Sequence, residues 1–104
     1  MAKLKLNPNP TFKSKVEIPV PGEAPVKVEF TFKHRTREEV QQLLEKLDET
    51  EHDVELVMKV ASGWELLDDF NPENVRLLVD NYIAAPRVIF EAYLQALTGA
   101  RSKN

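Results

Sequence analysis

The chain contains no cysteine, so disulfide bonds and thiolate metal sites are excluded. No apolar run approaches the roughly 20 residues that a membrane-spanning helix needs. The N-terminus, from Met1 to Leu6, lacks the apolar stretch of a signal peptide. We therefore expect a cytoplasmic protein with no membrane partner.

Glycine is also scarce, with three in 104 residues, and no phosphate-binding glycine loop or G-x-S-x-G motif occurs. The two histidines, His34 and His52, are far apart and lack metal-ligand spacing, so we interpret both as structural or solvated. Glu65, Asp68 and Asp69 cluster near a turn without the pattern of a calcium loop, which is typical of a capping and solubilising loop. With no nucleophile–base pair, we predict no catalytic residues, no cofactor, no metal and no enzymatic activity.

Charge is divided unevenly along the chain. Residues 1–37 hold eight basic and three acidic side chains, a net of +5, so the remainder carries −8 of the overall −3. A basic first third could meet nucleic acid or an acidic partner. Because these lysines alternate with glutamates, we favour the view that they keep one face of a sheet solvated and protect its edge.

The first third of the sequence has the two-residue period of β-strands. After an extended lead-in at 1–11, apolar residues alternate with polar ones on both sides of a Pro/Gly-rich turn or loop at 21–25. The apolar positions are Phe12, Val16, Ile18 and Val20, then Val26, Val28, Phe30 and Phe32. This pattern predicts a β-hairpin at 12–33, which must cover helices or another chain because an isolated hairpin is marginal in water.

The rest of the chain is predicted to be helical, at 37–98, before a polar tail at 99–104. Thr36 and Glu39 match a capping box that begins a helix over about 37–49. A second helix, about 53–62, follows with Thr50 or Asp53 as its cap. Gly63 is placed as the left-handed residue that ends this helix.

Two further helices complete the prediction. Asn71 and Pro72 suit the first positions of the third helix, and Pro86 begins a fourth that runs to about Leu97 and stops at Gly99. The expected fold is therefore α+β: a single domain, 1–104, with an N-terminal hairpin packed on a bundle of about four helices. The second and fourth helices are apolar around most of their circumference. They must be central, or they leave an exposed apolar patch that marks a partner site.

The single tryptophan, Trp64, directly follows Gly63. One hypothesis makes it a core residue whose indole N–H bonds a nearby carbonyl. The other makes it part of a partner-binding surface. We favour the first and keep the second open.

Four stretches stand out in order along the chain. They are residues 9–12 with 16–22, residues 30–36, Gly63 and Trp64 before an acidic loop and Phe70, and Ala92 and Tyr93 before a tail ending in Lys103 and Asn104. In this order they resemble the small tail assembly chaperones of long-tailed bacteriophages and prophages. The resemblance covers essentially the whole chain.

This resemblance implies a non-catalytic protein that binds the long, helical tape measure protein and keeps it soluble. The chaperone would leave when tail tube subunits polymerise around its client, and would be absent from the finished virion. The client, and through it the tail tube protein, are thus the implied partners. A groove between broadly apolar helices suits helix-in-groove recognition, and we predict the partner surface to include Trp64, Phe70, Tyr82, Phe90, Tyr93 and Leu94. Phe90 and Leu94 would border the client groove or a self-association surface.

A competing hypothesis is a nucleic-acid-binding module that uses the basic hairpin. Phe30 and Phe32 would be stacking platforms amid Lys27, Lys33 and Arg35. Against it, the two phenylalanines share a face with apolar valines, and the acidic remainder would repel phosphate. We therefore do not expect nucleic acid as the partner.

Overall fold

A computed structural model describes residues 4–47 and 53–99. The described part contains a three-stranded antiparallel sheet and four helices, which confirms the α+β class and the N-terminal hairpin. The elements are β1 (Thr11–Val20), β2 (Glu23–Lys33), α1 (Arg37–Glu45), α2 (Asp53–Val60), β3 (Ala61–Trp64), α3 (Pro72–Asn81) and α4 (Ala85–Thr98). The predicted cap at Thr50, His52, the last two residues of the first predicted helix and the tail beyond Gly99 lie outside the described residues.

The hairpin closes in a shorter turn than the sequence suggested. Val20 pairs with Glu23, so only Pro21 and Gly22 lie between the strands. Gly22 has a φ of 78°, and proline followed by a glycine with positive φ is typical of a type II turn. The pairing shifts by one residue near Pro19, which cannot donate to the sheet.

The register separates an apolar from a polar face of the sheet. Phe12 is opposite Phe32, and Val16 is opposite Val28, on the face that packs against the helices. The buried side chains of this face are Val16, Ile18, Val28, Phe30 and Phe32. Lysines, glutamates and threonine occupy the other face, which explains the alternating charge of the first third of the chain.

The predicted helix starts are largely confirmed, whereas α1 ends at Glu45, before the predicted end at about 49. Thr36 and Glu39 form the capping box at the start of α1, and the Asn71 side chain accepts from the Asn74 N–H at the start of α3. α4 starts at Ala85, one residue before the predicted Pro86, and ends at Gly99 with a φ of 76°. α2 and α4 are central: α2 packs on α3, α4 and two strands, and α4 packs on β1, α2 and α3.

The prediction for residues 61–64 was wrong. The second helix ends at Val60, and the next four residues form β3 along the free edge of β2, with Trp64 opposite Phe30. Gly63 does not have the left-handed conformation that was predicted; among the described residues only Gly22 and Gly99 have positive φ. The physical reason is tertiary, because β2 offers unpaired backbone groups that a strand satisfies and a helix cannot.

Two basic side chains, one at the end of β2 and one just after it, take over the role expected of a glycine cap. Lys33 Nζ donates to the carbonyl oxygen of Met58 at 3.1 Å, and Arg35 Nη2 donates to that of Lys59 at 2.7 Å. Both carbonyls belong to the last turn of α2, where backbone oxygens lack helical partners and positive charge is favoured. The chain therefore passes from helix to strand without an intervening loop.

Candidate functional site

The loop between β3 and α3 is fixed by Trp64. Its indole N–H donates to the carbonyl oxygen of Asp68 at 2.7 Å, as the core hypothesis for this residue expected. The half-buried ring lies edge-on between Phe30 and Phe70, with ring centroids 6.0 and 5.0 Å away. Trp64 therefore joins the sheet to the loop.

Three further hydrogen bonds hold this loop at both ends. The Glu65 carboxylate accepts from the Glu29 N–H at 2.6 Å, and the Glu65 N–H donates to the Glu29 carbonyl at 3.0 Å. At the other end, Asn74 Nδ2 donates to the carbonyl oxygen of Asp69 at 2.7 Å. The acidic cluster is thus part of a structured loop, although the side chain that caps α3 is that of Asn71 and none of the three acidic ones.

Two neighbouring hollows lie beside this loop and share Asn81 and Tyr82. The first, of about 180 Å³, is lined by Trp64, Leu66, Asp68, Asn74, Leu77, Leu78, Asn81 and Tyr82. The second, of about 280 Å³, is lined by Pro19, Val20, Pro21, Asn81, Tyr82, Ile83 and Ala84. Together they form a groove from the Trp64 loop along the end of α3 to the hairpin turn, here named the Tyr82 groove.

Large apolar side chains stand exposed along this groove. Leu77 is 60% exposed, Ile83 is 90% exposed, and Leu66 is 38% exposed. Leu67, beside them in the loop, is fully exposed. Isolated exposed leucines are ordinary, but four such residues within a short stretch around one groove are typical of a protein-binding surface.

The surroundings of the groove are acidic. Residues 64–83 contain five acidic side chains and one basic side chain, Arg76, for a net charge of −4. The acidic residues are Glu65, Asp68, Asp69, Glu73 and Asp80, all exposed. An apolar groove with an acidic border favours a partner whose apolar stripe is flanked by lysine or arginine.

Tyr93, on α4, connects the sheet to the helices from inside. Its hydroxyl donates to the Lys33 carbonyl at 2.8 Å and accepts from Arg35 Nη1 at 2.9 Å. Burial raises the pKa of Tyr93, and the hydrogen bond from Arg35 opposes that rise. This side chain is fully buried, so its predicted place on a partner surface was wrong: the periodicity of α4 identified an apolar face but not its depth.

A family model for phage tail assembly chaperones matches residues 1–104. The chain belongs to the phage tail assembly chaperone family. No curated protein and no solved structure matches the chain. Membership gives the chain a role in tail assembly alongside protein partners, and it indicates a binding rather than an enzymatic function.

The structure of this tail assembly chaperone brings together three of the six predicted surface residues. Trp64 and Tyr82 line the groove, and Phe70 contacts Trp64. Phe90 and Leu94 are half-buried on α4, pack against the core and are not among the residues that line the two hollows. Their partner role stays a prediction.

Sequence reasoning missed the most exposed apolar residues of the groove. In the sequence, Leu77 and Ile83 flank the apolar stripe of the third helix, which consists of Val75, Leu78, Val79 and Tyr82. The available signal was that each is a large apolar residue off the buried stripe. Such a residue is either buried at the border of the core or left in solvent. Leu77 and Ile83 are both left in solvent.

The nucleic-acid hypothesis fails on burial. Phe30 and Phe32 are fully buried, so neither ring can stack on a base. Lys33 and Arg35 bind the carbonyl oxygens of α2 instead of lining an open surface.

Within residues 4–47 and 53–99, no cluster of acidic and histidine side chains is suited to hold a metal ion, and His34 is exposed. No helix in this part of the chain is both long and apolar enough to cross a membrane.

Proposed function

We propose that this tail assembly chaperone binds the tape measure protein in the Tyr82 groove and keeps it soluble in the host cytoplasm until the tail tube forms. Family membership supports the role in tail assembly. The single observation that carries the choice of site is the exposure of Leu66, Leu77 and Ile83, which line the groove, with Leu67 exposed next to Leu66. Such side chains remain in water at a cost unless a partner covers them.

The geometry suits a helix with one apolar stripe. Recognition of that kind places side chains spaced three or four residues apart into a groove between elements. The two hollows on either side of Tyr82 offer consecutive places for such side chains. A tape measure protein is a long helical client that exposes apolar surface before the tube encloses it, so covering one stripe reduces its aggregation.

The acidic border adds selectivity and a salt dependence. Basic residues beside the apolar stripe of a client helix would be attracted by the net charge of −4 on residues 64–83. Such exposed charges mainly accelerate association and are screened by salt. We therefore expect association with the client to slow as the salt concentration rises.

The test is a titration of purified tape measure fragments against three forms of the chain. In the double variant Leu77→Asp with Ile83→Asp, two exposed apolar contacts are lost and two carboxylates must be desolvated. Full burial of such a side chain contributes about 1.5–3 kcal/mol, so the Kd should rise about 100-fold or more. The matched control is Leu6→Asp, since Leu6 is 91% exposed but lies outside the groove.

The expected result is a folded double variant with weakened binding and a control that binds like the wild type. Because Leu77 and Ile83 are already exposed, the melting temperature should change by only a few degrees. Wild-type affinity in the double variant would remove the groove from the interface. Equal weakening by Leu6→Asp would show non-specific apolar binding.

A further inference from the structure

The strand β1 has an open edge. It lies at one side of the sheet, whose order is β1-β2-β3, and is ten residues long. The Pro10 carbonyl accepts from the His34 N–H at 2.9 Å, which sets the alternation of hydrogen-bonded pairs. Even-numbered residues of β1 therefore bond β2, and Thr11, Lys13, Lys15 and Glu17 direct their backbone groups outward. Within the described residues these outward groups form no hydrogen bond to another element.

Space for another strand exists beside this edge. A hollow of about 480 Å³ lies beside the contact of β1 with α4, with Lys15, Val16 and Glu17 on one side and Val88, Glu91 and Ala92 on the other. Backbone groups at an open edge of this length normally meet a partner strand or are protected by charge.

The charges on β1 favour a second copy of the same strand. A symmetric antiparallel pair centred on Val16 places Lys15 opposite Glu17 of the second copy, twice. Centring on Ser14 places Lys13 opposite Lys15, centring on Lys15 places two lysines together, and centring on Glu17 places two glutamates together. Opposite charges directly across two strands stabilise a pair and like charges destabilise it, so only the first of these registers has no like-charge pair.

We infer that two copies of this chain associate through the β1 edge, antiparallel and centred on Val16, to form one continuous six-stranded sheet. On the inner face, Val16 meets its copy, Ser14 lies opposite Ile18, and Phe12 lies opposite Val20. Pro19 has no N–H, so the pairing is confined to the middle of the strand. The Tyr82 groove reaches β1 only at Pro19 and Val20, at the end of the strand and beyond its paired middle, so the rest of the groove stays open in the dimer.

The test uses charge reversal at two exposed positions, Lys15→Glu and Glu17→Lys, in the full chain. Each variant alone would face its copy with two like-charge pairs, and its dimer dissociation constant should rise about tenfold. Mixed in equal amounts, the two variants form a heterodimer in which both cross-strand pairs are again of opposite charge. Sedimentation velocity should therefore show weakened homodimers and a restored 1:1 heterodimer.

Lys13→Glu is the matched control, because position 13 lies opposite the uncharged Pro19 in this register. It makes the same charge change on the same face of the strand and should leave dimerisation near the wild-type level. A thermal melt of each variant checks the hairpin, in which Lys15 lies opposite Glu29 and Glu17 opposite Lys27. Each chain carries the same change in its own hairpin before and after mixing, so dimerisation that is restored on mixing reports the contact between the two chains.

Hydrogen exchange gives a second readout. On dimerisation, the amides of Lys13, Lys15 and Glu17 should gain protection, whereas the even-numbered amides are already bonded to β2. A wild-type chain that stays monomeric at millimolar concentration would overturn the inference and leave the edge to an extended segment of another protein. A dimer that survives both single reversals, or a mixture that fails to restore it, would also overturn it.

Discussion

Replacing Tyr93 by phenylalanine removes one buried oxygen and tests how the helices are held to the sheet. The hydroxyl donates to the Lys33 carbonyl and accepts from Arg35, at 2.8 and 2.9 Å. Lys33 is the last residue of β2 and Arg35 follows shortly after it, and the same two residues also bind the last turn of α2. Tyr93→Phe therefore weakens the contact among α4, β2 and α2 while leaving the ring and its packing in place.

The magnitude follows from the two lost bonds. A neutral buried hydrogen bond contributes about 1 kcal/mol, and one to a charged group contributes about 1.5–3 kcal/mol. Arg35 keeps its bond to the Lys59 carbonyl, which limits the penalty on its side chain. We expect the free energy of unfolding to fall by about 2 kcal/mol, which for a domain of this size lowers the melting temperature by about 10 °C.

Urea unfolding and a thermal melt measure this loss, and Tyr82→Phe is the control. Among the hydrogen bonds of the described residues, none involves the Tyr82 hydroxyl, so removing it should change the unfolding free energy by less than about 0.5 kcal/mol. If Tyr93→Phe lowered the free energy of unfolding as little as Tyr82→Phe does, the Tyr93 hydrogen bonds would contribute nothing to stability.

The same residue gives a pH signature. Because burial raises the pKa of Tyr93 above its ordinary value of 10.0, the folded protein favours the protonated phenol. That contribution is complete below pH 10 and is lost as the pH rises through the folded-state value. Tyr93→Phe should remove this alkaline loss, and an unchanged alkaline profile would refute the reasoning.

Three further predictions concern other elements. Trp64→Ala should lower the free energy of unfolding by about 2–3 kcal/mol, below the 3–5 kcal/mol typical of fully buried aromatics, because the ring is half-buried; a melt within a few degrees of wild type would contradict this. The Thr36 N–H lowers the pKa of Glu39 from 4.5, so the carboxylate stabilises α1 above that pH and this is lost as the pH falls through the lower folded value. In urea unfolding between pH 6 and 3, the free energy of unfolding of Glu39→Gln should lack this acid dependence. A pH profile equal to that of the wild type would exclude a contribution from the Glu39 carboxylate. Leu94→Glu should reduce capture of tape measure fragments in a pull-down if α4 borders the client; full capture by the folded variant would remove α4 from the interface.

Local chemistry made much of the fold predictable from the sequence. The hairpin follows from alternating apolar residues around Pro21 and Gly22, and the starts of α1 and α3 follow from the capping side chains of Thr36 and Asn71. Each of these signals acts between neighbours in the chain. These signals can therefore be identified in the sequence without knowledge of the tertiary packing.

Tertiary contacts decided what the sequence did not reveal. Ala61 and Ser62 continue the pattern of the second helix and Gly63 suits its end, and only the unpaired edge of β2 makes residues 61–64 a strand. Tyr93 belongs to the broad apolar face of α4 and Leu77 flanks the apolar stripe of α3, yet the first is fully buried and the second is 60% exposed. The difference depends on which neighbouring element covers each face, which a single sequence does not state.

The soluble fraction of the tape measure protein on co-expression measures whether the Tyr82 groove protects this client. Three co-expressions compare the wild-type chain, the double variant Leu77→Asp with Ile83→Asp, and Leu6→Asp. We predict that the wild type and Leu6→Asp keep the tape measure protein in the supernatant while the double variant, folded and equally expressed, leaves it in the pellet. Equal solubility with the double variant and the wild type would contradict a chaperone role for the Tyr82 groove.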